Sequence, residues 1–297
     1  MRLDDYRTSD NVGEAGRGGG GGMGGGGLGL LFLLGSKFGI GGIVVVIIGM
    51  MIFGMNPLAL IGGGSGQVGT SPQQQSAPGN AQQICDATPA RRHSCQVLAS
   101  TEDTWAKIFQ ANGQTYQPPR LNFYSESGNS GCGQAQSAMG PFYCPADQGI
   151  YLDTSFFDEL TNRFKAAGDF AQNYVIAHEV GHHVQYLTGI AEGVRRDQQR
   201  LGEAQGNQLQ VRMELQADCF AGVWAARNRD RIEPGDIEEG MRAANAIGDD
   251  TLQKSAGRRP VPESFTHGTS EQRMAWLKRG LDSGDAGQCD TFKAASI

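Results

Sequence analysis

From Phe38 to Cys85 the chain carries no charged residue. Within that window Phe38 to Met55 is a run of 18 residues drawn from Ile, Val, Met, Phe and Gly, and Leu58 to Ile61 carries it past Pro57. A buried core helix rarely runs this far without one polar face, whereas the length suits the hydrocarbon core of a bilayer. The sequence therefore predicts one transmembrane helix over residues 38–61. Lys37 at its start, and the lack of a small-x-small cleavage site behind it, speak against a cleaved signal peptide. Arg2, Arg7, Arg17 and Lys37 precede the run, and the next basic residue is Arg91. By the positive-inside rule the N-terminus is expected in the cytoplasm and the bulk of the chain outside it. All six cysteines then fall on the oxidising side.

The flanks differ from the remainder in composition. Of the 45 glycines, 22 lie in the first 66 residues, and Gly18 to Gly27 is broken only by Met23. Such a segment buries too little apolar area to offset its ordering entropy, so residues 1–37 are expected to form a disordered cytoplasmic tail. Residues 62–83, rich in Gly, Ser, Gln and Pro, read as a flexible tether reaching roughly 25 Å. Residues 84–297 are left as one folded domain, long enough to bury a core. With 25 Lys and Arg against 31 Asp and Glu, the net charge of −6 leaves no basic surface for a nucleic acid.

Within the domain, Ser100 followed by Asp103 suggests a capped helix reaching about Asn112. Strands are expected at 120–125, 134–144 and 148–153, with Pro145-Ala146-Asp147 turning between the last two. Helices follow at about 155–167, 170–188, 209–228, 234–247 and 270–281. A small sheet followed by a run of helices is an α+β pattern.

The chemistry lies in His178-Glu179-Val180-Gly181-His182. Asp169 and Gly189 read as caps, which places the motif mid-helix. Residues four apart on a helix stand one above the other, so both imidazoles can reach one ion. Glu179 lies about 100° round, close enough to hold a water beside that ion. Ile176, Val180, Val184 and Leu187 make an opposite, apolar stripe. Two nitrogen ligands and an activatable water fit Zn²⁺, which leaves one position open in catalytic sites. A third histidine six residues after the second is absent, since Thr188 stands there. The better third ligand is Glu214, on a second helix whose apolar stripe is Met213, Ala217, Phe220 and Trp224. Asp218, one turn on, can accept the N–H of a liganding imidazole and fix its tautomer.

These two motifs resemble the gluzincin metallopeptidases, in which a short zinc helix is followed by a Glu-x-x-x-Asp helix. The wider pattern, Tyr174 to Gln185, Glu214 to Gly222 and Phe265 to Arg273, resembles the bacterial family of predicted neutral zinc metallopeptidases with an N-terminal membrane anchor. The resemblance implies a zincin-like fold, zinc peptidase activity on a peptide or protein, and placement in the bacterial cytoplasmic (inner) membrane with the catalytic domain outside. By analogy with related anchored peptidases, His267 is expected to approach the metal and donate to an oxyanion, or Arg273 to pair with Asp218. Tyr151 and Tyr186 are weaker donors for the same role, and His93 and His183 are expected to be structural. By fold analogy, Gly149 to Leu152 is expected to be an edge strand that aligns the substrate.

Six cysteines leave the pairing open. Short separations favour Cys85–Cys95 and Cys132–Cys144, and Cys219–Cys289 would then tie the tail to the Glu214 helix. No Cys-x-x-Cys occurs to suggest a cysteine zinc site. The expectation is thus a membrane-tethered α+β zinc peptidase with His178, His182 and Glu214 as ligands, Glu179 as base, His267 as donor and Asp218 behind them. The alternative is a non-catalytic envelope binding or assembly module in which zinc only stabilises the fold.

Overall fold

The computed structural model describes residues 1–16, 78–295 and 297. Strand β1 (Val12–Glu14) is followed by helices α1 (Pro78–Asp86) and α2 (Pro89–Ala111). Then come β2 (Arg120–Phe123), the hairpin β3 (Ser127–Ser130) and β4 (Gly133–Gln136), β5 (Phe142–Cys144) and β6 (Gly149–Leu152). The remainder is helical: α3 (Phe156–Asn162), α4 (Asp169–Leu187), α5 (Ile190–Gln198), α6 (Glu203–Arg227), α7 (Asp236–Ala246), α8 (Asp249–Ser255) and α9 (Ser270–Ser283). The α+β expectation of a small sheet beside many helices holds.

The main sheet has the order β1-β2-β6-β5, parallel except for β5. Its register aligns Val12, Leu121, Ile150 and Tyr143 in one row across four strands. All four are buried in the large core that the helices complete. Alternation sends Phe142 and Tyr151 to the other face, where the two rings stack at 5.1 Å. A smaller cluster forms there with Ala135 of β4 and Met139. Strand β6 lies between β2 and β5, so the edge strand expected at 149–152 is an interior strand, and β5 forms that edge instead.

Several boundaries move for local reasons. The cap of helix α2 lies twelve residues before the expected cap at Ser100, because Thr88 caps Arg91 N–H and Pro89 occupies the first helical position. Ser100 is instead a buried mid-helix hydroxyl that accepts from Trp224 Nε1 at 2.9 Å. Asp169 is the first residue of α4 rather than its cap. The helix is entered through Gly168, and Glu239 accepts the N–H of Phe170 at 3.1 Å. The single strand expected at 134–144 is split by a 3₁₀ turn, Ser137–Met139.

The expectation of a disordered cytoplasmic tail over 1–37 does not hold for residues 1–16. β1 is a strand of the main sheet, and Met1, Leu3 and Val12 lie in the domain core. The Met1 ammonium sits 2.7 Å from Asp236 and 2.9 Å from Asp169. An N-terminus in the cytoplasm and a domain outside it cannot share a strand and a buried ion pair. The extracytoplasmic single-pass placement in the inner membrane is corrected accordingly. The helix expected at 38–61, and most of the tether expected at 62–83, lie outside the described residues. Among the described residues no helix is long and apolar enough to cross a membrane. The folded unit also begins earlier than residue 84, since α1 starts at Pro78 and buries Ala81.

Three disulfides join Cys85–Cys95, Cys132–Cys144 and Cys219–Cys289. The first ties α1 to α2, the second ties the β3–β4 hairpin to β5, and the third ties the C-terminal tail to α6.

Candidate metal centre

The site rests on two helices that approach closely. Helix α4 packs against α2, α6, α7 and β5, so nearly every position from Phe170 to Gln185 is buried, not one stripe alone. Gly181 permits the approach to α6: a Cβ there would lie 3.0 Å from the Cα and carbonyl oxygen of Ala217. On the far side of α6, a Cβ on Gly280 of α9 would fall 1.9 Å from the carbonyl of Cys219. Glycine at each crossing lets three helices stack so that side chains of all three converge.

His178 Nε2 lies 3.2 Å from Glu214 Oε2, and His182 Nε2 lies 3.5 Å from Glu214 Oε1. One ligand atom from each residue fits within a 4.8 Å cluster, and all three residues are buried. Both Nδ1 atoms are engaged elsewhere, His178 with Asp218 at 2.8 Å and His182 with Gln185 at 2.9 Å. The two Nε2 atoms are thereby left facing one carboxylate. Burial opposes the His178 cation, but Asp218 and Glu214 outweigh it and raise the pKa to about 9. The carboxylates that draw a proton to His178 would equally draw a divalent cation, which displaces that proton. Two neutral imidazoles and one carboxylate are a donor set that suits Zn²⁺.

Behind the ligands, Asp218 is enclosed by donors. It accepts from Tyr174 Oη at 2.5 Å and from Arg273 Nε and Nη2 at 2.9 Å each. Burial pushes its carboxyl up, but Arg273 and His178 prevail and hold it below the ordinary range. Gln210 Nε2 donates to Glu214 Oε1 at 2.8 Å. Burial likewise raises Glu214, yet His182, His267 and His178 hold its carboxyl well below the usual value.

Glu179 lines the same cavity as the three ligands. Burial raises its pKa above that of an ordinary glutamate, against the pull of His178 and His182 and a hydrogen bond from the Tyr143 backbone of β5. A carboxylate with raised proton affinity, beside a cluster that can hold a cation, is suited to take a proton from water.

His267 is brought to the cavity by a loop held on one buried carboxylate. Asp249 Oδ2 accepts the N–H groups of Thr266, His267 and Gly268 at 2.7, 2.6 and 3.1 Å. Its other oxygen lies 3.5 Å from His267 Nδ1. Burial lowers the His267 pKa, but Glu214 and Asp249 together raise it above 6.5. The cavity above these groups measures about 110 Å³. Met139, Phe156, Phe164, Val175, Ile247 and Leu252 form its walls, with Glu159 and Arg163 also lining it.

The structure thus brings together His178, His182, Glu214, Glu179, Asp218, His267 and Arg273. It leaves out Tyr151, which donates to Asp147, and Tyr186, which is 38% exposed and stacks on His183. His183 bonds Tyr143 Oη and the Gln117 carbonyl, and His93 bonds Asn173, both away from the cavity. A second carboxylate group, Asp169, Asp236 and Glu239, receives the Met1 ammonium on its two aspartates. Sequence reasoning missed Tyr174 and Gln210, each one helical turn before a ligand, a spacing that could have found them. Asp249 carries no local signal, being 18 residues from His267.

Over residues 1–292 the chain matches the family described as "Putative neutral zinc metallopeptidase". It is 49% identical over 294 residues to the uncharacterized protein YpfJ of Escherichia coli strain K12, covering 98% of this chain and 99% of that one. It is 38% identical over 265 residues to an uncharacterized protein of Mycobacterium tuberculosis strain H37Rv, covering 83% of this chain and 86% of that one. No solved structure matches the chain. The family match takes in the histidine helix, the Glu214 helix and the His267 loop, and on it the chain belongs to this zinc metallopeptidase family.

Proposed function

We propose that the protein is a zinc-dependent peptidase. The observation that carries this reading is the convergence of His178, His182 and Glu214 within 4.8 Å beside the carboxylate of Glu179. Zn²⁺ held by the three ligands would lower the pKa of water and polarise the scissile carbonyl. Glu179 takes the proton of the attacking water and returns it to the leaving amine. His267, held at the cavity by the loop that Asp249 suspends, donates to the oxyanion that develops on the carbonyl. Asp218 holds the Nδ1 proton of His178, so that Nε2 stays available for coordination.

The walls of the cavity favour an apolar residue of the substrate next to the scissile bond. At about 110 Å³ the space is smaller than the roughly 150 Å³ apolar cavity that accepts benzene. A branched aliphatic side chain fits this space more readily than a large aromatic ring. The reading of a structural, non-catalytic zinc is disfavoured by the ligand count. Structural sites close with four protein ligands, and among the described residues this group has three.

The test is zinc analysis of the purified chain beside hydrolysis of a peptide library, with wild type and Glu179→Gln. Wild type should carry one zinc and cleave before or after aliphatic residues, and Glu179→Gln should keep the zinc and lose cleavage by about 10²-fold or more. Undiminished cleavage by Glu179→Gln, or a wild type that binds no zinc, would overturn the reading.

A further inference from the structure

His178 and His182 are held by different means. The partner of His178 is a charged carboxylate, clamped in turn by Arg273 and Tyr174. His182 relies on a neutral amide, and an amide serves as acceptor only while its orientation is fixed. Gln185 is fully buried and Gln216 is 3% exposed. Gln185 Nε2 donates to the Met213 carbonyl at 2.7 Å and to Gln216 Oε1 at 3.1 Å. Both of its N–H groups are thereby used, and Oε1 is left to accept from His182 Nδ1.

Gln216 is oriented the same way one step on, since its Nε2 donates to the carbonyl of Cys289 at 2.9 Å. Cys289 belongs to the C-terminal tail, bonded covalently to Cys219 on α6, three residues from Gln216. Thr291 pins the tail again, its hydroxyl donating to the Arg212 carbonyl at 2.7 Å. Every hydrogen bond from His182 to Cys289 therefore points outward, from ring to tail.

We propose that the tail, pinned by Cys219–Cys289, sets the metal affinity of the site through the path Cys289–Gln216–Gln185, which fixes His182 with Nε2 free to coordinate. Gln185 and Gln216 are positioning residues that never touch the metal. Without Gln216 as acceptor, the Met213 carbonyl is left as the one hold named here on the Gln185 NH₂, and the amide turns that group toward His182 more readily. Nδ1 must then accept, the ring proton moves to Nε2, and the coordinating lone pair is lost.

The inference rests on the zinc-site reading, and its test separates the two. Zinc affinity of the full chain is measured by competition with a chromophoric chelator, and folding of each metal-free variant by circular dichroism. Gln185→Met keeps the volume and removes the acceptor, and should weaken binding by roughly 10- to 100-fold. Gln185→Glu, protonated on the oxygen that faces the Met213 carbonyl, keeps an acceptor for Nδ1 and should recover part of that loss, which a purely structural role would not predict. Gln216→Met, one step further from the ligand, carries the test if Gln185→Met fails to fold. The double variant Cys219→Ser, Cys289→Ser should weaken binding in the wild-type background and add nothing in the Gln216→Met background.

Zinc bound by wild type with an affinity that Gln185→Met changes less than about twofold, against the size expected of such partners, sinks the path while leaving the peptidase reading intact. Losses from the disulfide and from Gln216 that multiply instead of overlapping sink the role of the tail. A wild type that binds no zinc sinks both readings.

Discussion

Arg273 grips both oxygens of Asp218, each at 2.9 Å, where neither side chain is more than 2% exposed. The pair joins α9 to α6 and stands directly behind His178. Removing the guanidinium strands a buried carboxylate whose remaining partners are a phenol and an imidazole. Arg273→Ala is expected to destabilise the protein by about 3–5 kcal/mol. Arg273→Lys should recover only part of this, because an ammonium cannot offer the same planar fork. Urea denaturation with a chelator present reads both values. A loss under about 1 kcal/mol, the worth of a surface pair, would show that Asp218 is served by other donors.

The loop carrying His267 hangs on Asp249. His267→Ala should lower kcat by about 10²- to 10³-fold, as expected for loss of one oxyanion donor, with zinc content unchanged. Asp249→Ala leaves three backbone N–H groups without their acceptor, so the loop should loosen and kcat should fall similarly without loss of metal. Combining the two substitutions should add little, because both remove the same positioned donor. A loss of zinc in His267→Ala would instead make this residue a ligand.

Ile247 is a half-buried wall of the cavity, so shortening it should cost little stability. Ile247→Ala enlarges the space, and the ratio of kcat/KM for aliphatic over aromatic substrates should fall by about 10-fold or more, since each methylene in such a pocket counts for about 1–3 kcal/mol. Peptide-library profiles of the two proteins decide the matter. Unchanged profiles would place the substrate side chain elsewhere.

His183 gives a stability prediction with a definite sign. Burial lowers its pKa from 6.5 to about 4, against the opposing effect of the Gln117 carbonyl. Between those values the unfolded chain binds the proton and the folded one does not, so the stabilisation is present above pH 6.5 and is lost as pH falls toward 4. The span of about 2.5 units corresponds to about 3 kcal/mol. Denaturation midpoints measured from pH 7 to 4 with a chelator present should show this loss, and His183→Gln should flatten it. An equally steep acid limb in the variant would assign the loss to other groups.

Much of the site was legible in the sequence because helix geometry is local. Four-residue spacing alone places His178 over His182, and Glu214 one turn before Asp218, without knowledge of the fold. The same rule reaches Tyr174 and Gln210. The start of helix α2 is not legible in this way, because Ser100 and Asp103 imitate a cap, whereas Thr88 with Pro89 supplies the better one. Residues 1–16 hide their place in the fold for a different reason. Met1, Leu3 and Val12 are too sparse to form a periodic stripe, yet each finds a place in a core assembled by the rest of the chain.

The sequence by itself determined the donor set, its spacing along two helices and the α+β composition, since these follow from residue type and helical pitch. Only the tertiary structure decided that Asp249 suspends His267, that Gln216 looks toward Cys289, and that the N-terminal strand lies beside β2. Those relationships join residues from 18 to more than 100 positions apart. Contacts of that range are fixed by packing of the whole core, and no window of sequence contains both partners.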